Sequence, residues 1–285
     1  MIDLHAHSNA SDGGCSPEEL AELGASIGLT ALAVTDHDTV GGVAGFLERA
    51  KRFPGMAAVP GVELSTVFGA RELHIVGLFI DPESPELLTF LEEMRRIRQE
   101  RNERIFRRLD SLGYRISWED PAFQSTGDTA SLGRPHFARA LMERYGFPSL
   151  QAVFDKLLKF GAPAYVPRRL PDPVRAIDAI HHAGGVAIWA HPVYRQRNER
   201  AWARRIMKRF APLGLDGVEG YYSMFGPPET ALVTELAAEY GLLLSGGSDF
   251  HGANQPEIRL GAGMGKLCVP DGLFAPLRER AERYR

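Results

Sequence analysis

Histidine and carboxylate side chains recur in this sequence at the carboxyl ends of short apolar segments. The histidines placed in this way are His5, His7, His37, His191 and His251, and the accompanying carboxylates are Asp12, Glu63 and Asp249. His74 differs, because it stands at the start of its apolar segment. In barrel enzymes the active site lies at the carboxyl ends of the strands. These nine side chains are therefore candidate ligands of a metal centre.

The residue types favour particular metals. Alternate residues of a strand point to one face, so the imidazoles of His5 and His7 can reach one ion. Imidazole and carboxylate ligands without thiolate suit Mn, Fe or Zn, and we expect two or three divalent ions with Mn²⁺ preferred. Any one of these histidines alone is more often a structural residue than a ligand, but their repeated placement favours a metal centre.

A centre of this kind would attract an anion. Three divalent ions bring about +6 and the three carboxylates about −3, so the site would carry about +3 in a chain of net charge −3. A compact anion such as phosphate matches that field. Metal ions lower the pKa of bound water to roughly 7 and clamp the oxygens of a displacement. The sequence thus predicts phosphate-ester hydrolysis by metal-activated water, without a serine or cysteine nucleophile.

The elements that must position these side chains alternate between strand and helix. Segments predicted as strands are Ile2–Ala6, Thr30–Thr35, Ala57–Leu64, Leu73–Ile80, Val186–Ala190, Gly217–Tyr221 and Leu242–Gly246. Helical stretches between them indicate parallel βα units of an α/β fold. One such helix begins after Ser16, with Pro17 at its first position and Glu19 at the capping-box position. About seven βα units favour a barrel over an open sheet.

The alternating pattern stops near Asp81 and resumes near Gly161. Residues from about Pro85 to Leu112 form one long helical stretch, and shorter helices follow to about Phe160. We therefore expect an α-helical insertion at 82–160 that covers the active site. The barrel is expected at 1–81 and 161–285.

Composition excludes several other classes of protein. The chain has 285 residues and a net charge of −3, which gives no sign of a general nucleic-acid coat or a membrane-seeking surface. Its two cysteines, Cys15 and Cys268, exclude a disulfide scaffold. No stretch has the roughly 18 consecutive apolar residues of a membrane span. We expect a cytoplasmic location, no membrane contact and no protein partner.

The chemistry-bearing blocks, taken in order, resemble the PHP (polymerase and histidinol phosphatase) superfamily. The blocks are Asp3–Ser8, Thr35–Asp38, Gly61–Glu63, His74–Gly77, Ala190–Pro192 and Gly247–His251. The resemblance runs over nearly the whole chain. It implies a distorted (β/α)7 barrel, the PHP fold, with a trinuclear metal site.

The resemblance also implies roles for the ligands. The first metal would be held by His5, His7, Glu63 and Asp249, the second by Glu63, His74 and His191, and the third by Asp12, His37 and His251. Glu63 would bridge the first two metals. The catalytic set implied in this way is His5, His7, Glu63, Asp249 and His191. Asp36 and Asp38 are not expected as ligands, and they either orient His37 or cap a turn.

The insertion resembles the branch of 3′,5′-nucleoside bisphosphate phosphatases and 5′→3′ exoribonucleases. There the Arg-Pro-His block is similar to a substrate-phosphate clamp, which makes Arg134 and His136 candidate substrate ligands. The alternative is that Arg134 and Pro135 merely start a helix. Relatives of this branch often carry Lys where this chain has Ala162.

The resulting hypothesis is a phosphoesterase that removes a phosphate from a small nucleotide, with short RNA 5′ ends as a further substrate. Two alternatives remain: a phosphatase for another metabolite such as histidinol phosphate, and a non-catalytic metal- or nucleotide-binding module. Two further features are open. The basic stretch Arg95–Arg108 is either a salt-bridged solvated face or a contact for a nucleotide chain. Tyr221, Tyr222 and Phe225 either stack on a base or pack the barrel rim.

Overall fold

The computed structural model describes residues 1–124, 133–194 and 199–285. The chain divides into two compact units, one formed by Met1–Phe90 with Pro171–Arg285 and the other by Leu91–Leu170. We call them the barrel unit and the helical unit. The helical unit begins and ends about ten residues later than the insertion drawn from the sequence at 82–160.

The barrel unit contains a seven-stranded sheet whose strand order follows the chain. The strands are β1 Ile2–Asp3, β2 Ala31–Val34, β3 Ala57–Phe68, β4 Arg71–Leu78, β5 Val186–Trp189, β6 Gly217–Tyr222 and β7 Leu243–Gly247. Each lies within or close to a segment predicted as a strand. The expected barrel of seven strands is therefore confirmed.

Strand direction departs from the expectation of parallel units at one strand. β1, β2 and β3 are parallel, as are β5, β6 and β7, but β4 runs antiparallel to both of its neighbours. A tight turn joins β3 to β4, and Gly69 adopts a positive φ of 65° there, which a side chain would disfavour. The start of β4 consequently lies at the edge where β3 ends, with Ser65 opposite His74.

The first and last strands approach closely enough to nearly close the barrel. The backbone N–H of Leu4 donates to the carbonyl of Gly246 at 3.1 Å. A Cβ at residue 247 would lie 2.4 Å from the Cβ of His5, so glycine is required there. The buried carboxylate of Asp3 accepts the backbone N–H groups of Ser248 and Gly261. These contacts hold the segment that bears His5 against the end of β7.

Helices follow the strands as the sequence indicates. The described helices are α1 Pro17–Ser26, α2 Val43–Ala50, α3 Pro85–Ser111, α4 Pro121–Gln124, α5 Arg134–Tyr145, α6 Leu150–Val153, α7 Pro173–His182, α8 Glu199–Phe210, α9 Pro227–Tyr240 and α10 Phe274–Ala281. The predicted capping box of α1 is present, because Ser16 N–H donates to Glu19 and Glu19 N–H donates to Ser16. None of the described helices is long and apolar enough to cross a membrane.

Each unit has its own apolar core. In the barrel unit, inward side chains of the strands form one cluster around Ile2, Val76 and Ile188, and a second packs α1 and α2 onto β2 through Leu20 and Phe46. The buried inner layer keeps the strand ends rigid, which fixes the side chains that leave them.

The helical unit has a separate core around Phe123, Phe137 and Leu141. Arginines of α3 contribute to its structure. The guanidinium of Arg101 is buried and donates to the carbonyl of Val166 at 2.9 Å, and Arg108 donates to the carbonyl of Tyr165. Arg101 and Arg108 of the basic stretch therefore bind the backbone of residues 165–166. Arg107 pairs with Glu103, as expected for a salt-bridged solvated face.

Candidate metal centre

The carboxylate of Glu63 lies at the centre of a cluster of imidazoles in the barrel unit. Its side chain is 1% exposed. One oxygen, Oε1, lies 2.9 Å from Nδ1 of His74 and 3.2 Å from Nε2 of His191. His74 lies in the first half of β4 and His191 follows the end of β5, so the reversed direction of β4 brings both to the same oxygen.

The other oxygen of Glu63 faces a different set of imidazoles. Oε2 lies 2.9 Å from Nδ1 of His37, 3.3 Å from Nε2 of His5 and 3.4 Å from Nε2 of His7. His37 follows β2, and its backbone forms an isolated parallel β-bridge with the backbone of Glu63. Because its two oxygens face separate groups of nitrogens, Glu63 has the geometry of a bridging ligand.

Asp249 and Asp12 extend the cluster on either side of His7. Oδ1 of Asp249 lies 3.1 Å from Nε2 of His7 and 3.6 Å from Nε2 of His5. Oδ1 of Asp12 lies 3.3 Å from Nε2 of His251 and 3.9 Å from Nδ1 of His7. Asp12 is half exposed, so this side of the cluster is open to solvent.

The nine predicted ligands therefore lie in one connected cluster. Three groups have potential ligand atoms within 4.8 Å of one another: His7, Asp12, His37 and His251; His5, His7 and Glu63; and His37, Glu63 and His74. These groups differ from the sets implied by resemblance, because Nδ1 of His37 lies 2.9 Å from Glu63 whereas its Nε2 lies 3.9 Å from Asp12.

Buried atoms in the cluster test whether cations fit it. Among the described residues, the buried atoms without a hydrogen-bond partner include Nε2 of His5, both ring nitrogens of His7, Nδ1 of His37 and Oε2 of Glu63. Leaving buried polar atoms unsatisfied costs free energy. Imidazole nitrogens and carboxylate oxygens of this kind coordinate divalent cations, so the residues present fit metal ions.

Electrostatic coupling inside the cluster is strong. Burial lowers the pKa of His5, but the carboxylates of Glu219, Glu63 and Asp249 outweigh burial and raise it well above its ordinary value. Burial lowers the pKa of His7 to about 4, assisted by the neighbouring His251 and other imidazoles. The cluster thus contains imidazoles that differ widely in proton affinity although they lie side by side.

The carboxylates respond in the opposite sense. Burial acts to raise the pKa of Glu63, but His37, His5 and His74 hold it well below its ordinary value. Asp249 behaves alike, since the imidazoles of His5 and His7 overcome the effect of burial and lower its pKa. Both carboxylates are therefore ionised and suited to bind cations.

Two of the proposed ligands have strained backbones. His191 has a φ of 35° and Asp249 a φ of 56°, in the left-handed region that non-glycine residues rarely adopt. Both follow directly the ends of buried strands. Such strain persists only where the surrounding structure enforces it, and it is common at functional sites.

Two residues that contact the candidate ligands were not assigned to the metal centre from the sequence: Glu219 was not singled out, and Tyr222 was considered only for base stacking or rim packing. Glu219, in β6, contacts Nδ1 of His5 at 2.7 Å and accepts the backbone N–H of His191 at 2.6 Å. Tyr222 donates its hydroxyl to Oδ2 of Asp249 at 3.0 Å. The sequence signal for Glu219 was an acid within a predicted strand, Gly217–Tyr221. That signal does not indicate a function until the spatial neighbours of the acid are known.

The acids that flank His37 bind loops. Asp36 accepts the backbone N–H and the hydroxyl of Ser8 and the hydroxyl of Ser11, and burial raises its pKa to about 6. Asp38 accepts the backbone N–H of Ser65 at 2.8 Å. The sequence left two roles open for these acids, the orientation of His37 and the capping of a turn. These contacts support the capping of turns.

The aromatic side chains after β6 pack against one another. Tyr222 is buried and its ring contacts those of Tyr194 and Phe225. Tyr221 packs against the barrel core. The packing alternative is thus realised for Tyr221 and Tyr222.

The substrate-ligand candidates lie in the helical unit. Arg134 is the first residue of α5, donates to the carbonyl of Leu158 at 3.4 Å and lies over the ring of Tyr165 at 5.7 Å. Nδ1 of His136 accepts the backbone N–H of Gly133 at 3.1 Å. Both residues thus have a local structural role, and their contact with a substrate stays a prediction.

The same architecture occurs in known proteins. A solved structure from Bifidobacterium adolescentis, assigned as a metal-dependent phosphoesterase, matches with a TM-score of 0.84 and 29% identity over 98% of this chain and 96% of that chain. The fold and the cluster place the chain in the class of metal-dependent phosphoesterases. More particularly, the family model of the PHP domain matches residues 3–160, and the chain belongs to the PHP domain family.

Named relatives agree with this assignment. The 5′-3′ exoribonuclease Rnm of Salmonella typhimurium is 37% identical over 96% of this chain and 91% of its own length. The 3′,5′-nucleoside bisphosphate phosphatase of Chromobacterium violaceum is 36% identical over 88% of this chain and 87% of its own length. The predicted family, and the predicted class of hydrolase acting on phosphoric ester bonds, are confirmed.

Proposed function

We propose that this chain hydrolyses a phosphate monoester of a small nucleotide, using two or three divalent ions of which Mn²⁺ is the preferred one. The observation that carries the proposal is the carboxylate of Glu63, which is buried among five imidazoles and has one oxygen without a hydrogen-bond partner. Imidazole and carboxylate ligands without thiolate suit Mn²⁺.

The proposed ligands divide into three sets. They are His5, His7, Glu63 and Asp249 for the first ion, Glu63, His74 and His191 for the second, and Asp12, His37 and His251 for the third. The separate faces of Glu63 Oε1 and Oε2 support its role as the bridge. When bound, such ions stabilise developing charge on phosphoryl oxygens and lower the pKa of water.

The chain itself supplies positioning and charge. The solvent-accessible side of the cluster at Asp12 is the expected entrance for the phosphate, while Glu63 and His5 are buried behind it. His191, on its strained turn, directs Nε2 toward Glu63, and Asp249, on another strained turn, directs Oδ1 toward His5 and His7. The strain fixes their orientation before a substrate arrives.

The nucleotide preference rests on the helical unit and on the relatives. We propose that Arg134 and His136 in this unit bind a substrate phosphate, since a guanidinium matches phosphate geometry. The names of the two relatives, a nucleoside bisphosphate phosphatase and an exoribonuclease, support substrates of this kind.

A panel of phosphate esters tests the proposal. The metal-free protein, reloaded with Mn²⁺, Fe²⁺ or Zn²⁺, would be assayed on nucleoside bisphosphates, nucleoside monophosphates and histidinol phosphate. We expect phosphate release to be fastest from a nucleotide with Mn²⁺. Preference for histidinol phosphate would assign another substrate, and the absence of any turnover with any metal would indicate a non-catalytic binding module.

Short RNA is a second candidate substrate, because the relative named as an exoribonuclease covers 96% of this chain. A 5′-phosphorylated oligoribonucleotide labelled at its 3′ end would be shortened stepwise from the 5′ end. A 5′-hydroxyl oligoribonucleotide is the matched control. Release of only the terminal phosphate, without shortening, would restrict the activity to monoesters.

A further inference from the structure

Glu219 joins two of the proposed ligands through both of its carboxylate oxygens. Its side chain is 2% exposed and stands in β6. Oε1 lies 2.7 Å from Nδ1 of His5, and Oε2 accepts the backbone N–H of His191 at 2.6 Å. One buried side chain therefore contacts a ligand of the first proposed ion and a ligand of the second.

The contact with His5 fixes which ring nitrogen keeps its proton when the imidazole is neutral, as it is when it binds a metal. A carboxylate only accepts hydrogen bonds, so Nδ1 of His5 is the donor. In the neutral imidazole the lone pair is then on Nε2, the atom that lies 3.3 Å from Glu63 and has no hydrogen-bond partner. A carboxylate behind a histidine in this way orients the ring and strengthens it as a ligand.

The contact with His191 acts on the backbone instead. His191 has a φ of 35°, a conformation that disfavours residues with a Cβ. Its N–H donates to Glu219, and the preceding N–H of Ala190 donates to the carbonyl of His74. These two hydrogen bonds hold the turn after β5 in the strained conformation that directs the His191 ring toward Glu63.

We propose that Glu219 is a positioning residue that fixes His5 and His191 together, so that the two ligand sets sharing Glu63 are assembled by one carboxylate. This role in metal binding rests on the proposed function, but the hydrogen bonds of Glu219 to His5 and His191 are present without bound ions. Both oxygens of Glu219 are engaged by His5 and His191, so we assign it a positioning role and not that of a metal ligand.

Metal binding gives the first test. Titration of metal-free protein with Mn²⁺ should show that Glu219→Gln binds about 10- to 100-fold more weakly than the unsubstituted protein. Gln has only one acceptor oxygen, so it cannot serve both donors. Asp216→Asn is the matched control, because Asp216 is an equally buried acid just before β6 whose partners are His181, Arg280 and Tyr284.

Asp216→Asn should keep its Mn²⁺ affinity within about 2-fold while losing stability. Unchanged affinity in Glu219→Gln would overturn the proposal. Equal weakening in both variants would also overturn it, since it would reflect only the loss of a buried charge.

Hydrogen exchange measured by NMR on the metal-free protein gives the second test. The Nδ1 proton of His5 and the amide proton of His191 should both be protected in the unsubstituted protein. Glu219→Gln should lose protection at one of them, and Glu219→Leu at both; if the Leu variant does not fold, the Gln variant decides. Full protection in Glu219→Gln would overturn the proposal. This result is independent of metal, so protection lost as expected in a protein that binds no Mn²⁺ would contradict the proposed function alone.

Discussion

Nδ1 of His74 lies 2.9 Å from Oε1 of Glu63, across two antiparallel strands. Ser65 is the residue directly opposite His74, and Glu63 lies two residues before Ser65. The side chains of Glu63 and His74 are therefore diagonal neighbours on one face of the sheet. Oε2 of the same carboxylate faces His5, His7 and His37. The pairing of β3 with β4 is thus what gives Glu63 two different sets of partners.

This relationship predicts that Glu63 affects two metal ions at once. Glu63→Gln should lower kcat/KM by about 1000-fold or more, because several kcal/mol of charge stabilisation would be lost. His251→Ala, which removes a ligand of the third ion only, should cause a smaller loss. Steady-state kinetics and elemental analysis of both variants test the order.

The exposed acid Glu48 of α2, which pairs with Lys51, provides the control. Glu48→Gln should retain the kinetics and the metal content of the unsubstituted protein. Near-normal turnover and full metal content in Glu63→Gln would show that Glu63 is not the bridging ligand.

Metal removal should affect both activity and stability. Purified protein should contain more than one equivalent of Mn, Fe or Zn, and chelation should abolish phosphate release until a divalent ion is added back. Because ions that bind the native state stabilise it by mass action, the chelated protein should unfold at a lower temperature. The measurements are elemental analysis and thermal unfolding with and without Mn²⁺. A chelated protein that retains full activity would rule out the metal requirement.

Asp216 predicts a pH-dependent contribution to stability. Burial acts to raise its pKa, but hydrogen bonds from His181, the backbone of Ala187 and Tyr284 lower it below its ordinary value. A lowered pKa stabilises the native state at pH values above the unfolded pKa of about 4, and this stabilisation is lost as the pH falls through the native pKa. Asp216 therefore stabilises the protein at neutral pH and not in acid.

Urea unfolding of Asp216→Asn should accordingly show a loss of roughly 2–3 kcal/mol at pH 7, since hydrogen bonds to a buried charged group are removed. The difference from the unsubstituted protein should shrink as the pH is lowered from about 5 to about 3. A difference that is constant over this range would mean that the charge of Asp216 contributes nothing.

Arg134 predicts a kinetic difference between substrates. If it binds a phosphate that is not cleaved, Arg134→Ala should raise KM for a nucleoside bisphosphate and spare kcat, whereas contact with the scissile group should lower kcat too. The loss should be roughly 2–4 kcal/mol, about 30- to 1000-fold in kcat/KM, and metal content should stay normal.

Arg139, exposed on the same helix, is the matched control, and Arg139→Ala should behave like the unsubstituted protein. A loss confined to the bisphosphate would support a clamp on the second phosphate. No change with either substrate would leave Arg134 with only its contacts to Leu158 and Tyr165.

Sequence patterns identified the candidate ligands and most of the helices and strands. Spacing such as His5-x-His7, and acids after apolar segments, identified nine side chains that the structure brings into one cluster. The capping box at Ser16 and Glu19 was equally readable. These features are local: alternation along a strand and the capping of a helix depend on residues a few positions apart.

Tertiary structure alone decided how those residues meet. Alternating and apolar patterns do not reveal strand direction. The reversal of β4, which makes His74 a diagonal neighbour of Glu63, is therefore known only from the pairing of β4 with β3 and β5. The role of Glu219 likewise depends on partners 214 residues away at His5 and 28 residues away at His191. A buried carboxylate acquires its function from the donors that surround it, and those donors come together only when the chain nearly closes its barrel.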